Sequence, residues 1–114
     1  MNNIIQNNFE KFCIQCDYNK INEYLINYKW LANHNDGEYF EIVANNGRLD
    51  LIKLFIENGA NIHANDDYAL YTCSYHKYND CIEYLINNGA NIESNKNFYG
   101  YEYTQQIIKN KTVC

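Results

Sequence analysis

The chain has 114 residues, 46% hydrophobic and 20% charged, which suits one domain with a modest core and excludes a disordered composition. A net charge of −5 argues against binding nucleic acid or an anionic membrane surface, since both need clustered Lys and Arg. The five cysteines, Cys13, Cys16, Cys73, Cys81 and Cys114, are odd in number and widely spaced, which argues for reduced thiols over a disulfide framework.

Residues 1–12 are Asn-rich with scattered apolar positions and lack the basic start and apolar stretch of a secretory signal. No run approaches the ~20 apolar residues of a membrane span. The expectation is a soluble, intracellular (by default cytoplasmic) monomer.

Further along, the chain repeats itself. "NGANI" occurs at Asn58–Ile62 and again at Asn88–Ile92, thirty residues on. At that offset Asp50 matches Asp80, Ile52 matches Ile82, and Ile56 matches Ile86. "YNKINEYLIN" at Tyr18–Asn27 matches "YNDCIEYLIN" at Tyr78–Asn87 at twice the offset. Three units therefore tile the chain, over about residues 5–34, 35–64 and 65–94, with 95–114 left as a partial unit. Within this frame Cys13 aligns with Val43 and Cys73, and Cys16 with Asn46 and His76.

Each unit has the same order. In the second, Phe40, Ile42, Val43 and Ala44 predict a short helix that stops at Asn45-Asn46-Gly47, where glycine permits a left-handed stop. Asp50 then suits the positive end of a second helix, whose apolar face is Leu51, Ile52, Leu54, Phe55 and Ile56. Asn58-Gly59 ends it. A polar joint leads to the next short helix at about Tyr68–His76. Neither helix is long enough to be stable alone, so the pairs must bury their faces against one another.

"NNGRLDLIKLFIENGANIHA", Asn45–Ala64, resembles the second half of an ankyrin repeat, through the turn at Asn46–Leu49 and the Gly-Ala-Asn-Ile closure at Gly59–Ile62. The resemblance implies an all-α ankyrin-repeat solenoid of stacked helix-turn-helix units. The thirty-residue period is shorter than the ~33 usual in the family, and the Thr-Pro-Leu-His signature is replaced by Glu38-Tyr39-Phe40-Glu41 and Tyr68-Ala69-Leu70-Tyr71. The inter-repeat finger is thus expected to be truncated, with the missing residues falling in Ala64–Ala69. Such short, Asn-, Ile- and Tyr-rich units resemble the ankyrin proteins of large DNA viruses of amoebae. The first unit has Lys29 where Gly59 and Gly89 stand, and Asn22 in the slot of Ile52 and Ile82, a polar choice suited to a capping unit. After Asn97 one helix is expected to close the array, weakened at its start by Gly100.

The resemblance implies a non-catalytic module that binds an unidentified protein, without nucleic acid, membrane, metal or cofactor. Its surface would be the joints and the concave short-helix face: Asp36, Glu38, Glu41, Asn45, His63, Asp66, Asp67, Tyr68, Tyr71 and Tyr75. Tyrosine is a frequent interface anchor, yet Tyr71 and Tyr75 could equally pack on neighbouring units. Other readings remain. Cys13-x-x-Cys16 is the spacing of a redox pair or half a zinc site, but its positions in the repeat frame account for it and no second pair follows. Cys73 and His76 could share a helix face, yet two ligands fall short of a structural zinc's four. A worn repeat protein without a specific partner is the last alternative.

Overall fold

The computed structural model describes residues 2–95 and 100–112, and the described residues form helices and turns with no strand. The chain divides into two compact units, Met1–Asn61 and Ile62–Cys114.

The first unit runs through α1 (Asn2–Ile14), α2 (Tyr18–Asn27), a 3₁₀ turn over Lys29–Asn33, α3 (His34–Asn45) and α4 (Leu49–Glu57). Its core is an aromatic cluster. The Phe9 ring meets Tyr39 edge-on at 5.0 Å and Phe55 at 6.0 Å, while Phe40 meets Phe55 at 5.8 Å. Ile21, Leu25, Leu31, Val43 and Ile52 fill the remaining space and are fully buried. Tyr24 lies beside Phe9 and Phe12, a packing role.

The second unit contains α5 (Ala64–His76), α6 (Asn79–Asn87), a short 3₁₀ turn over Ile92–Asn95 and α7 (Tyr101–Thr112). Leu70, Cys73, Cys81, Ile82 and Leu85 are buried at its centre. Ser74 and Thr104, thirty residues apart, are buried and joined by a hydrogen bond from the Thr104 hydroxyl. A helix does follow Gly100, as expected. Lys96 and Asn97, the end of the third joint in the sequence frame, lie outside the described residues, as does Cys114.

The turns explain the repeated letters. At Asn58-Gly59-Ala60 the Gly59 N–H donates to the Ile56 carbonyl and the Ala60 N–H to the Phe55 carbonyl, with Gly59 at φ +93°. Gly89 repeats this at φ +97°, with bonds to Ile86 and Leu85. Asn58 and Asn88 each return a side-chain amide to the carbonyl four residues back, at 2.8 Å. The motif is a helix stop that satisfies orphan carbonyls through one left-handed residue. A Cβ on Gly59 would meet nothing within 4 Å. The whole cost of Gly59→Ala is therefore conformational, and an unfolding free energy lower by about 1–2 kcal/mol is expected in urea titration. A loss below ~0.3 kcal/mol would show that the turn tolerates a side chain.

The first helix ends alike in each repeat, with one change of register. Gly47 and Lys77 occupy the left-handed stop at φ +66° and +62°, and their N–H groups donate to Ala44 and Ser74. In the first repeat the residue there is Cys16, φ +55°, donating to Cys13. The turn thus lies 31 residues before Gly47, not thirty. Cys13 therefore takes the slot of Ala44 and Ser74, not that of Val43 and Cys73, and Cys16 matches Gly47 and Lys77, not Asn46 and His76. Phe9, correspondingly, matches Phe40 and Leu70, all buried. The slip is absorbed in α2, which has ten residues where α4 and α6 have nine. Asp17 caps it, accepting from the Lys20 N–H at 3.2 Å. Asn22, assigned to the slot of Ile52, is half-buried.

Candidate functional site

Within the first turn of α3 and of α5 the helix is broken by a joint of three consecutive left-handed residues. These are Asn35, Asp36 and Gly37 (φ +49°, +53°, +84°) and Asn65, Asp66 and Asp67 (φ +51°, +55°, +57°). Such backbone costs roughly 1–2 kcal/mol per ordinary residue. Gly escapes that cost, and the short side chains of Asn and Asp tolerate it best among the rest. This accounts for the composition of both segments.

Asp67 turns inward. It is 5% exposed, and its Oδ1 accepts the Asn91 N–H at 2.9 Å and His63 Nδ1 at 2.9 Å. Its Oδ2 accepts the Ser94 hydroxyl at 2.8 Å. One carboxylate thus ties the joint to the closing turn of its own repeat. Assigned to a partner surface from the sequence, Asp67 is instead occupied within the fold. His63 is half-exposed and bound to it, so it too serves the joint.

The first unit reaches the same end with a different residue. There the Asn61 N–H donates to Asn33 Oδ1 at 2.7 Å, and Asn33 Nδ2 donates to the Gly59 carbonyl at 2.9 Å. Asn33 stands thirty residues before His63, and Gly37 thirty before Asp67. The acceptor has moved from one end of the joint to the other. Sequence reasoning missed Asn33, Asn91 and Ser94; the signal was the matching Asn-Asp at 35–36 and 65–66.

The catalytic alternatives fare poorly on geometry. In the His63–Asp67–Ser94 group the carboxylate is central, and the hydroxyl proton of Ser94 points at Asp67. No imidazole is placed to take that proton, as nucleophilic catalysis would need. Cys13 is fully buried, and burial, with Cys16 and Glu10 nearby, pushes its thiol well above the ordinary range. A hydrogen bond with Cys81 and burial do the same for Cys73. Neither is a ready thiolate. His76 does not pair with Cys73; its Nδ1 donates to the Thr72 carbonyl at 2.9 Å, and its ring stacks on Tyr78. Arg48 chelates Asp50 through Nε at 3.0 Å and Nη2 at 2.8 Å, holding that carboxyl below its usual range, and also reaches Cys16. Among the described residues no three His, Cys, Asp or Glu side chains gather as a metal site.

What does reach the surface is the side of α5 that carries Tyr68, Tyr71 and Tyr75. Their rings run in sequence, with centroids 5.8 and 6.4 Å apart, and Tyr75 is 51% exposed. Asp66 is exposed at the start of this stripe. In the first unit Asp36 and Asn45 are exposed and Glu38 and Glu41 half-buried, with Asn35 donating to Glu38.

A family model described as "Ankyrin repeats (3 copies)" matches residues 12–96. The chain belongs to the ankyrin-repeat family. No curated protein and no solved structure matches it. Ankyrin repeats generally mediate protein–protein interaction and are typically not enzymes. Helix pairs with a tight turn between them fit that family, and the fold class is the all-α one read from the sequence. In this ankyrin-repeat chain the left-handed triplets stand where a longer family member would build its finger. No helix among the described residues is long and apolar enough to cross a membrane.

Proposed function

We propose that the chain is a non-catalytic protein-binding module whose surface is the exposed side of the short first helices and the joints at their start. The observation that carries this reading is the stripe of Tyr68, Tyr71 and Tyr75. Three large rings stand side by side on one helix with the last half exposed. Tyrosine in such a place offers wide contact area for little loss of side-chain freedom. In the second unit Asp66 belongs to this surface and Asp67 and His63 hold its joint; in the first unit Asp36, Glu38, Glu41 and Asn45 take the corresponding positions. The recurring helix pairs over residues 5–94, thirty residues apart save for the one-residue slip in the first repeat, support reading the chain as one repeat domain with α7 as its closing helix. The short joints support the likeness to ankyrin proteins of amoebal DNA viruses, and with it a monomer acting inside a host cell. The acidic balance and the carboxylates of the surface speak for a protein partner over nucleic acid.

The test is affinity capture with the wild-type protein and with Tyr71→Ala/Tyr75→Ala, the two matched for helical content and melting temperature. A partner retained by the wild type and depleted about tenfold or more by the double variant is the expected result. A capture profile that the substitutions leave unchanged removes Tyr71 and Tyr75 from the surface.

A further inference from the structure

We propose that Asn58 and Asn88, each followed by glycine, are sites of spontaneous covalent modification, which the helix stops hold shut and which react only when the end of α4 or of α6 opens. One site lies in each unit, and the chemistry needs no partner.

An asparagine side chain can close on the main-chain nitrogen of the next residue. That nitrogen gives up its proton and attacks Cγ, a C–N bond forms, and Nδ2 leaves as ammonia. The product is a five-membered imide. Water then opens the ring at either carbonyl. One opening gives aspartate. The other gives isoaspartate, whose main chain runs through the former side chain. The net change turns an amide and water into a carboxylic acid and ammonia, with no oxidant or reductant. A following glycine hinders the attack least, because it has no Cβ.

Each stop blocks this reaction in three ways. The imide ring is nearly planar, so the glycine nitrogen must eclipse Cβ about the Cα–C bond. At ψ +16° for Asn58 and +14° for Asn88 it comes near to eclipsing the residue's own nitrogen instead, well away from the side chain. The side-chain amide donates at 2.8 Å to the carbonyl of Leu54 or Tyr84. The glycine N–H, whose proton must leave, donates at 3.0 Å to the carbonyl of Ile56 or Ile86. Turning ψ to the reactive value pulls this N–H and that of the next alanine off their carbonyls. The ring therefore cannot close while the stop stands. Gly59, Asn88 and Gly89 are exposed, so water is at hand and bonding, not burial, shuts the sites. Asn46-Gly47 at the end of α3 is built alike, with ψ −2° and the amide on the Ile42 carbonyl at 2.9 Å.

Once modified, a stop does not re-form. Aspartate at position 58 has no amide to give the Leu54 carbonyl, and it sets a negative charge at the negative end of α4. Isoaspartate lengthens the main chain by one carbon and shifts the two N–H groups from the Ile56 and Phe55 carbonyls. Each opening of these helix ends thus risks a permanent mark.

Peptide mapping by mass spectrometry, on the full chain held at neutral pH and sampled over time, tests this. Synthetic peptides spanning residues 54–63 and 84–93 give the unprotected rates. Asn58 and Asn88 should convert at least about tenfold more slowly in the folded chain than in the peptides, because the rate scales with the open population. In guanidinium chloride the chain and the peptides should react alike. Equal rates in the folded chain and the peptides would overturn the proposal. Gly59→Ala sets a Cβ beside the attacking nitrogen, so in the denatured chain it should slow Asn58 and leave Asn88 unchanged. No slowing would mean direct hydrolysis and would overturn ring closure. Asn58→Asp should raise the unfolding equilibrium constant roughly three- to tenfold, with Asn58→Ala, which loses the donor without adding charge, between it and the parent. An Asn58→Asp chain as stable as the parent would show that the stop survives and would overturn the permanent loss.

Discussion

Asp67→Gly lowers the unfolding free energy by about 2 kcal/mol, and in a His63→Asn background the same substitution costs less than about half as much. The carboxylate of Asp67 accepts three hydrogen bonds at 2.8–2.9 Å from Asn91, Ser94 and His63 while itself buried. Glycine at this position removes those acceptors cleanly. It relieves about 1 kcal/mol of left-handed backbone strain and returns about as much in chain entropy. What remains is the loss of the bracket, discounted because Asn91 and His63 are exposed enough to find water. The partial rescue follows from the first unit. Asn33, spaced 28 residues before Asn61, accepts that residue's N–H and donates to the Gly59 carbonyl, with Gly37 at the place of Asp67. His63 is likewise 28 residues before Asn91 and 26 before Gly89. The double variant writes the first unit's solution into the second. A urea titration of the four proteins of the cycle measures the coupling. If Asp67→Gly costs the same with either residue at 63, the two joints are not interchangeable and the shared spacing is coincidental.

The contrast between the joints shows what the sequence made legible. The helix pairs, their stops at Gly47, Gly59 and Gly89, and the short joint could be read from apolar spacing and from glycine alone, because each is a local constraint. The register of the first repeat could not. "YNKINEYLIN" matches its later copy by letter, yet the left-handed stop before it falls on Cys16, and a ten-residue α2 takes up the difference. Letter matches count residues, whereas the turn is set by which residue can leave the helix with its carbonyls satisfied. The structure departs from the surface assignment at Asp67. Asp66 and Asp67 are adjacent acids in one polar run, and both look like tips. In a left-handed turn successive side chains diverge: Asp66 is exposed and Asp67 buried. Composition cannot separate them, and only the hydrogen bond to a main-chain group 24 residues away does. For Cys13 the error of one position was harmless, since either slot is small and buried.

Phe55→Ala costs about 3–5 kcal/mol, the largest single effect expected in this chain. Phe55 is fully buried on α4 and its ring lies 6.0 Å from Phe9 and 5.8 Å from Phe40. Phe9 belongs to α1 and Phe40 to α3, so this one ring joins two first helices to a second helix. Truncation leaves those rings facing a void, and the helices cannot close it without moving the turns at Gly47 and Gly59. A small domain is stable by only about 5–15 kcal/mol, so the variant should be largely unfolded at a temperature where the parent is intact. Phe55→Leu separates size from position. It brings in the residue that stands at Leu85, thirty residues on and also fully buried, and should cost roughly 1–2 kcal/mol. The single tryptophan, Trp30, lies in the same unit on the turn after α2 and is partly exposed, with its ring edge-on to His34 at 5.5 Å. Its emission therefore reports the first unit directly, while far-ultraviolet circular dichroism follows all helices. The expected result is a Trp30 transition shifted to much lower denaturant in Phe55→Ala, with Phe55→Leu between the two. A Phe55→Ala protein whose Trp30 transition stays within about 1 kcal/mol of the parent would mean that the aromatic cluster does not hold the first unit together. Its stability would then have to come from the aliphatic contacts of Ile21, Leu25 and Ile52.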